Sequence, residues 1–156
     1  MAMALKCRIF YRFGSLQMIK ITIPGEPVAQ GRPRFSRQGG FIRTYDPKPS
    51  RDYKAKIQQC VARLKLTTQL DQPLAVTIKV YRPIQKSTSK KDRALKIAGK
   101  ILPTTKPDTD NYVKGILDGL SQSEIWTDDN LICVIKAQKM YSEYPRAEIE
   151  IKEITL

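Results

Sequence analysis

At 156 residues the chain is long enough for one domain with a core of its own. It carries 28 Lys+Arg against 15 Asp+Glu, a formal net charge of +13. That excess bears on partners and not on fold: nucleic acid is the first candidate, ahead of an anionic membrane surface or a solubility role. Histidine is absent, which excludes His general bases, His-Cys zinc sites and His-metal nuclease motifs. Any metal must therefore sit on oxygen ligands, which suits Mg²⁺ or Mn²⁺.

No run approaches the ~20 apolar residues of a membrane span. Residues 1–17 are interrupted by Lys6, Arg8 and Arg12 and lack the apolar stretch of a secretory signal. Met18 stands directly before the first clear strand, so 1–17 reads as an N-terminal extension and 18–156 as a single domain. Cys7, Cys60 and Cys133 have no CxxC spacing, and their odd number suits reduced thiols in the cytoplasm.

In chain order, Ile19, Ile21 and Ile23 alternate with polar neighbours and predict a strand over 18–24, stopped at Pro24. The segment 25–50 is rich in Gly and Pro, and Gly39-Gly40 between "RFSR" and "FIRTY" predicts a hairpin. It sets Arg32, Arg34, Arg37 and Arg43 around Phe35 and Phe41. Some of the arginines read as phosphate contacts ahead of solvated charges, and the aromatics as hairpin core ahead of rings that stack on nucleic-acid bases. A helix is predicted from about residue 50 to 66, with Tyr53, Ile57, Cys60, Val61 and Leu64 on one face. Residues 74–83 alternate as a second strand. A loop and short basic helix follow over 86–100, ended by Gly99. Lys86, Lys90, Lys91 and Arg93 make this a second basic block, either a solvated helix face or a DNA contact together with Lys106. Strands over 131–141 and 146–154 close the chain. With no regular βαβ alternation and no internal repeat, the pattern is α+β.

Between Asp108 and Asn130 the balance inverts. Asp108, Asp110, Asp118, Glu124, Asp128 and Asp129 face a single base, Lys114. Val113, Ile116, Leu117 and Leu120 make a one-sided helical stripe behind Asp110, which sits where an N-cap belongs. Asp110, Lys114 and Asp118 are four apart and share a polar face. The segment after Ser121 is long enough to return Asp128 or Asp129 beside Asp108 and Asp110. Clustered carboxylates cost ~1 kcal/mol per pair at 4 Å in water and ~4 at a protein-like dielectric. A divalent cation removes that cost and can activate water on a phosphodiester. Taken singly, each Asp also reads as a cap or turn residue. Trp126 reads as a core anchor, and Glu124 has no assigned role.

This segment resembles the RusA family of Holliday-junction endonucleases of bacteria and their prophages. The family pattern of K/R-P-D-x-D-N, a lysine four residues on, L-D-A/G-L and W/Y-x-D-D is met without a gap. The matching residues are Lys106-Pro107-Asp108-Thr109-Asp110-Asn111, Lys114, Leu117-Asp118-Gly119-Leu120 and Trp126-Thr127-Asp128-Asp129. A looser likeness covers "GEPVAQGRPRF" (25–35), as in phage-borne members. The resemblance implies a small mixed sheet packed against helices, in a homodimer that cuts four-way DNA junctions by paired nicks and acts near the nucleoid. It implies Mg²⁺, with Mn²⁺ as a substitute, held by Asp108, Asp110 and Asp129, with Asp128 a further matched acid. Lys114 would sit near the scissile phosphate, and Asp118, which fits the motif, would either serve helix packing or orient Lys114. Two alternatives remain beside it. One is a non-catalytic basic DNA-binding protein, a decayed prophage member. The other is a PD…ExK nuclease using Asp108, Glu150 and Lys152, although "EIEIKE" is also an ordinary amphipathic strand.

Overall fold

The computed structural model describes residues 10–13 and 16–154, with side chains from residue 18 onward. Seven strands and three helices follow in the order β1 (Phe10–Phe13), β2 (Leu16–Pro24), β3 (Arg34–Gln38), β4 (Phe41–Tyr45), α1 (Lys48–Ala62), β5 (Leu74–Pro83), α2 (Lys90–Ile97), α3 (Thr109–Ser121), β6 (Ile132–Ser142) and β7 (Arg146–Glu153). A 3-10 turn, Asp129–Leu131, leads into β6.

Five strands form one sheet in the order β1-β2-β7-β5-β6, and β3 and β4 form a separate ribbon. All pairings in the large sheet are antiparallel except β5 with β6, which is parallel. The architecture is the expected α+β with a mixed sheet. The stretch set apart as an extension takes part in it, since Phe10–Phe13 pairs with Leu16–Ile19.

Period-2 patterning aligns the apolar residues into rows. Ile19, Ile151 and Val76 stand opposite one another across three strands, as do Ile21, Ile149 and Ile78. All six are buried, and α1 and α3 complete the core on that face with Ile57, Ile116 and Leu120. Gly119 lets the two helices close: a Cβ there would lie 2.8 Å from Ile57 Cδ1. The opposite sheet face carries Lys20, Thr22, Lys79, Lys136 and Glu150 around a cleft of about 520 Å³. One buried and one solvated face is what an antiparallel sheet with helices on one side requires.

The parallel β5–β6 pair decides where the acidic segment goes. Parallel neighbours cannot be joined by a tight turn, so the chain crosses over the sheet before returning. That crossover contains α2 and α3 and ends at β6, the sheet edge. The acidic helix is thereby laid beside an edge strand.

Candidate active site

A groove of about 650 Å³ runs between α3 and β6. Asp110, Lys114 and Asp118 line it from the helix, Ile135 and Ala137 from the strand, and Asp129 from the connection. The predicted polar face of α3 borders the groove together with Val113 and Leu117 of the expected apolar stripe.

The helix begins earlier than the stripe implied. Asp108, not Asp110, occupies the N-cap position, in extended conformation, and its side chain makes no capping bond. Asp110 lies in the first turn, where the helix dipole favours a negative charge. Two strand side chains hold the approach to α3. Lys139 Nζ donates to the carbonyls of Thr105 (3.0 Å) and Pro107 (2.9 Å), and Arg82 Nη1 donates to Thr105 O at 3.0 Å. The Asp108 backbone is therefore tied to β5 and β6 on the groove side.

Asp129 is fixed at the other end. Its Oδ1 accepts from Ser121 Oγ at 2.6 Å and from Trp126 Nε1 at 2.7 Å. These two bonds hold its carboxyl below the usual carboxylate range. Trp126 is the core anchor expected of it. It is buried, and it forms an isolated bridge with Leu70 that pins the connection after α3. The expected return of Asp129 to the start of α3 does not occur within one chain. Asp110 and Ser121 are about 16 Å apart along the helix axis. Among the described residues no three acidic or thiol side chains converge as a metal-holding group. The reason is the anchor: burying Trp126 against Leu70 stops the connection at the C-terminal end of α3. Asp128 accepts from the Asn130 N–H at 2.8 Å, as a turn residue does.

Of the two roles expected of Asp118, its contacts match helix packing, since they join α3 to α1. Asp118 accepts from Lys54 Nζ at 2.9 Å, and the same ammonium meets Asp46 Oδ2 at 2.7 Å. Lys54 is 5% exposed. Burial pulls its pKa down, but the hydrogen bonds to Asp46 and Asp118 outweigh burial and hold it above the ordinary value. The Lys54 hydrogen bond in turn lowers the pKa of Asp46. Lys54, Asp46, Lys139 and Arg82 were missed in the sequence. For Lys54 a signal existed, since it falls three residues before Ile57 on the apolar stripe of α1.

The acids thus separate by partner. Asp118 and Asp129 are engaged, whereas the carboxylates of Asp108 and Asp110 have no hydrogen bond or ion pair among the described residues. Two exposed, unpartnered carboxylates two residues apart fit Mg²⁺, which is commonly held by one or two carboxylates with water and substrate phosphate completing the shell. Lys114, one turn from Asp110, is exposed as well and makes no salt bridge among the described residues, though its charge is felt at Asp46.

The basic candidates all lie on the surface. Arg32, Arg34, Arg37 and Arg43 surround the β3–β4 ribbon, and Lys86, Lys90, Lys91 and Lys106 are exposed. Lys96 of α2 stacks over Tyr141, two residues along β6 from Lys139, so the basic helix stands near the Asp108 end of the groove. Phe35 and Phe41 do not pack a core. They are 70% and 76% exposed. The PD…ExK set is not assembled either: Glu150 pairs with Lys20 and Lys152 on the solvated sheet face, whereas the carbonyl just before Asp108 is held by Lys139, on the β6 face that Ile135 and Ala137 turn to the groove. Cys60 is buried and Cys133 exposed, neither in a disulfide among the described residues, while Cys7 lies outside them. No described helix is long and apolar enough to cross a membrane.

Comparison with known proteins bears on the whole of this arrangement. The family model described as Endodeoxyribonuclease RusA matches residues 24–152, which contain the ribbon, α3, the groove and both ends of the acidic segment. The chain is 42% identical over 144 residues to "Uncharacterized protein YqaN" of Bacillus subtilis (strain 168), covering 90% of this chain and 99% of that one. It is 26% identical over 128 residues to "Crossover junction endodeoxyribonuclease rusA" of Lactococcus phage r1t, covering 82% and 91% respectively. The chain belongs to the RusA family of endodeoxyribonucleases.

Proposed function

We propose that this chain is a Mg²⁺-dependent, structure-specific endodeoxyribonuclease that acts as a homodimer and resolves four-way DNA junctions by paired nicks. The observation that carries this is the groove. It presents Asp110 and the exposed Lys114 from α3, with Asp108 at the start of that helix, on a chain otherwise rich in positive charge, and the carboxylates of Asp108 and Asp110 have no hydrogen bond or ion pair among the described residues. Asp108 and Asp110 would hold the ion, with Asp129 as the third acid. Asp129 is bonded to Ser121 at the other end of α3, so in a homodimer it would be a second copy's Asp129 that completes the set. When bound, the metal supplies a lowered water pKa and charge stabilisation at phosphorus.

The protein's own groups do the rest. Lys114 offsets negative charge developing on the phosphate. Lys139 and Arg82 keep the Asp108 backbone in place by holding the carbonyls before it. Arg32, Arg34, Arg37, Arg43, Lys86, Lys90, Lys91 and Lys106 contact phosphates and orient the DNA arms. A homodimer matches the two-fold symmetry of a four-way junction and gives one site per nicked strand.

The test is cleavage of a synthetic four-way junction by wild type and Asp110→Asn, with Mg²⁺ and with EDTA. Wild type should cut only with metal, and Asp110→Asn should lose at least about 100-fold, as expected when a charge that stabilises the transition state is removed. Equal cutting by both would refute the assignment. Junction binding that persists in EDTA, with no nicking under Mg²⁺ or under Mn²⁺ added in its place, would leave the non-catalytic reading instead.

A further inference from the structure

We infer that the β3–β4 ribbon is a stacking wedge for unpaired bases at the DNA branch point, an inference that rests on the nuclease reading above. The two strands pair Arg34 with Tyr45, Ser36 with Arg43 and Gln38 with Phe41, so these residues share one face. Phe35, Arg37, Ile42 and Thr44 share the other. Each face therefore combines an aromatic ring with arginine.

Neither face is covered. Phe35, Phe41, Ile42 and Tyr45 are 70%, 76%, 64% and 41% exposed. A hairpin that merely decorates a surface hides one face, and an isolated two-stranded ribbon is marginal in water. The occupant has to suit both faces, and charge selects it. From Gly31 to Tyr45 there are four arginines and no acid. None of those arginines makes an ion pair among the described residues. A polyanion with flat π-faces fits this surface, and unpaired nucleobases on a phosphate backbone are such a partner. The interior of a paired duplex offers no free base face, whereas a strand crossover does.

The tip is shaped for entry. Gly39 and Gly40 both have positive φ (59° and 83°), and a Cβ on either would meet nothing within 4 Å. The base of the ribbon is the opposite, tied down on both strands. Gln30 N donates to Asn111 O of α3 at 2.9 Å and Gly31 N to Ser50 Oγ of α1 at 3.0 Å. Asp46 accepts from Gln30 Nε2 and from Lys54, which also holds Asp118. The wedge thus stands at a set distance from Asp110 and Lys114, and the branch point it engages fixes which phosphate reaches the groove.

The experiment uses the full chain in EDTA with a four-way junction carrying 2-aminopurine at the crossover, and a linear duplex of the same arm sequence. Wild type should change the 2-aminopurine fluorescence. The Phe35→Ala/Phe41→Ala double variant should lose that change, with junction affinity down about tenfold, as expected for losing base stacking. Its duplex affinity should change less than about twofold, because the phosphate contacts remain. Phe→Trp at both positions should retain the signal, and Phe→Leu, equally apolar but unable to stack, should not. The wedge is refuted if the Ala variant binds junctions normally, if Leu serves as well as Trp, if duplex binding falls in parallel, or if sedimentation shows that the aromatics hold a second copy. A wild type that cuts junctions beside an Ala variant that binds them normally refutes the wedge alone. A wild type that neither prefers nor cuts junctions overturns the nuclease reading first and the wedge with it.

Discussion

Lys54 shows how one residue ties the surroundings of the site together. It is a buried cation between two half-exposed carboxylates, one at the foot of the arginine ribbon and one on the acidic helix. Asp46 has its pKa lowered by the Lys54 hydrogen bond, so its contribution to stability is present above the ordinary value of about 3.9. That contribution fades as pH falls through the lowered folded value. Lys54 has its pKa raised, so its contribution is present below about 10.4 and lost only as pH rises through the folded value. Between these limits the clamp is insensitive to pH. Lys54→Met should lower the urea midpoint by a similar amount from about pH 5 to 9, and the gap to wild type should narrow below about pH 4. Urea titrations at a series of pH values measure this, and a gap that widened on acidification would contradict the clamp. Lys54→Arg should restore most of the loss, since it keeps the charge.

The crossing of α1 and α3 sets how the acidic helix meets the sheet. Gly119 faces Ile57, which is fully buried and β-branched, so its rotamer has little freedom in a helix. Gly119→Ala would gain roughly 1 kcal/mol of helix propensity. It would also press a methyl within 2.8 Å of Ile57 Cδ1 and 3.2 Å of its Cβ. Ile57 cannot swing clear, so overpacking of about 1–3 kcal/mol should win. Thermal melts should show a lower Tm for Gly119→Ala, and an unchanged or raised Tm would mean the helices can part. Elements of this kind were largely readable in the sequence: β5 and β7 fall where expected and the ribbon strands flank the Gly39-Gly40 turn, while the α3 stripe was half right, with Ile116 and Leu120 buried, Val113 and Leu117 on the groove and Tyr112 buried unforeseen. What period could not give was coverage. Alternation assigns Phe35 and Phe41 to faces of a hairpin but says nothing of whether a layer lies over them, and none does. The stripe of α1 did contain its odd member, Lys54, but a lysine in sequence does not display the two carboxylates that hold it. Asp129 was misplaced for a similar reason. Chain length allowed either end of α3, and the bridge of Trp126 to Leu70, a contact distant in sequence, chose the far one.

At the scale of the whole molecule, the separation of the acids becomes a statement about assembly. Asp108 and Asp110 open α3, Asp129 is bound to Ser121 at its close, and no three carboxylates meet among the described residues. If all three serve one metal in a homodimer, each site takes Asp108 and Asp110 from one copy and Asp129 from the other. Mixed dimers test this directly. Asp110→Asn and Asp129→Asn should each be inactive alone. Refolded together, a mixed dimer would combine the intact Asp110 of one copy with the intact Asp129 of the other in one site, and both defects in the second. Nicking of a single junction strand should then return in the mixed dimers, which form at most about half of a statistical population. Were every site built within one chain, each site of a mixed dimer would carry one defect, and the mixture would stay as inactive as its parts. A supercoiled cruciform plasmid reads the difference, because one working site yields nicked circles and two yield linear DNA.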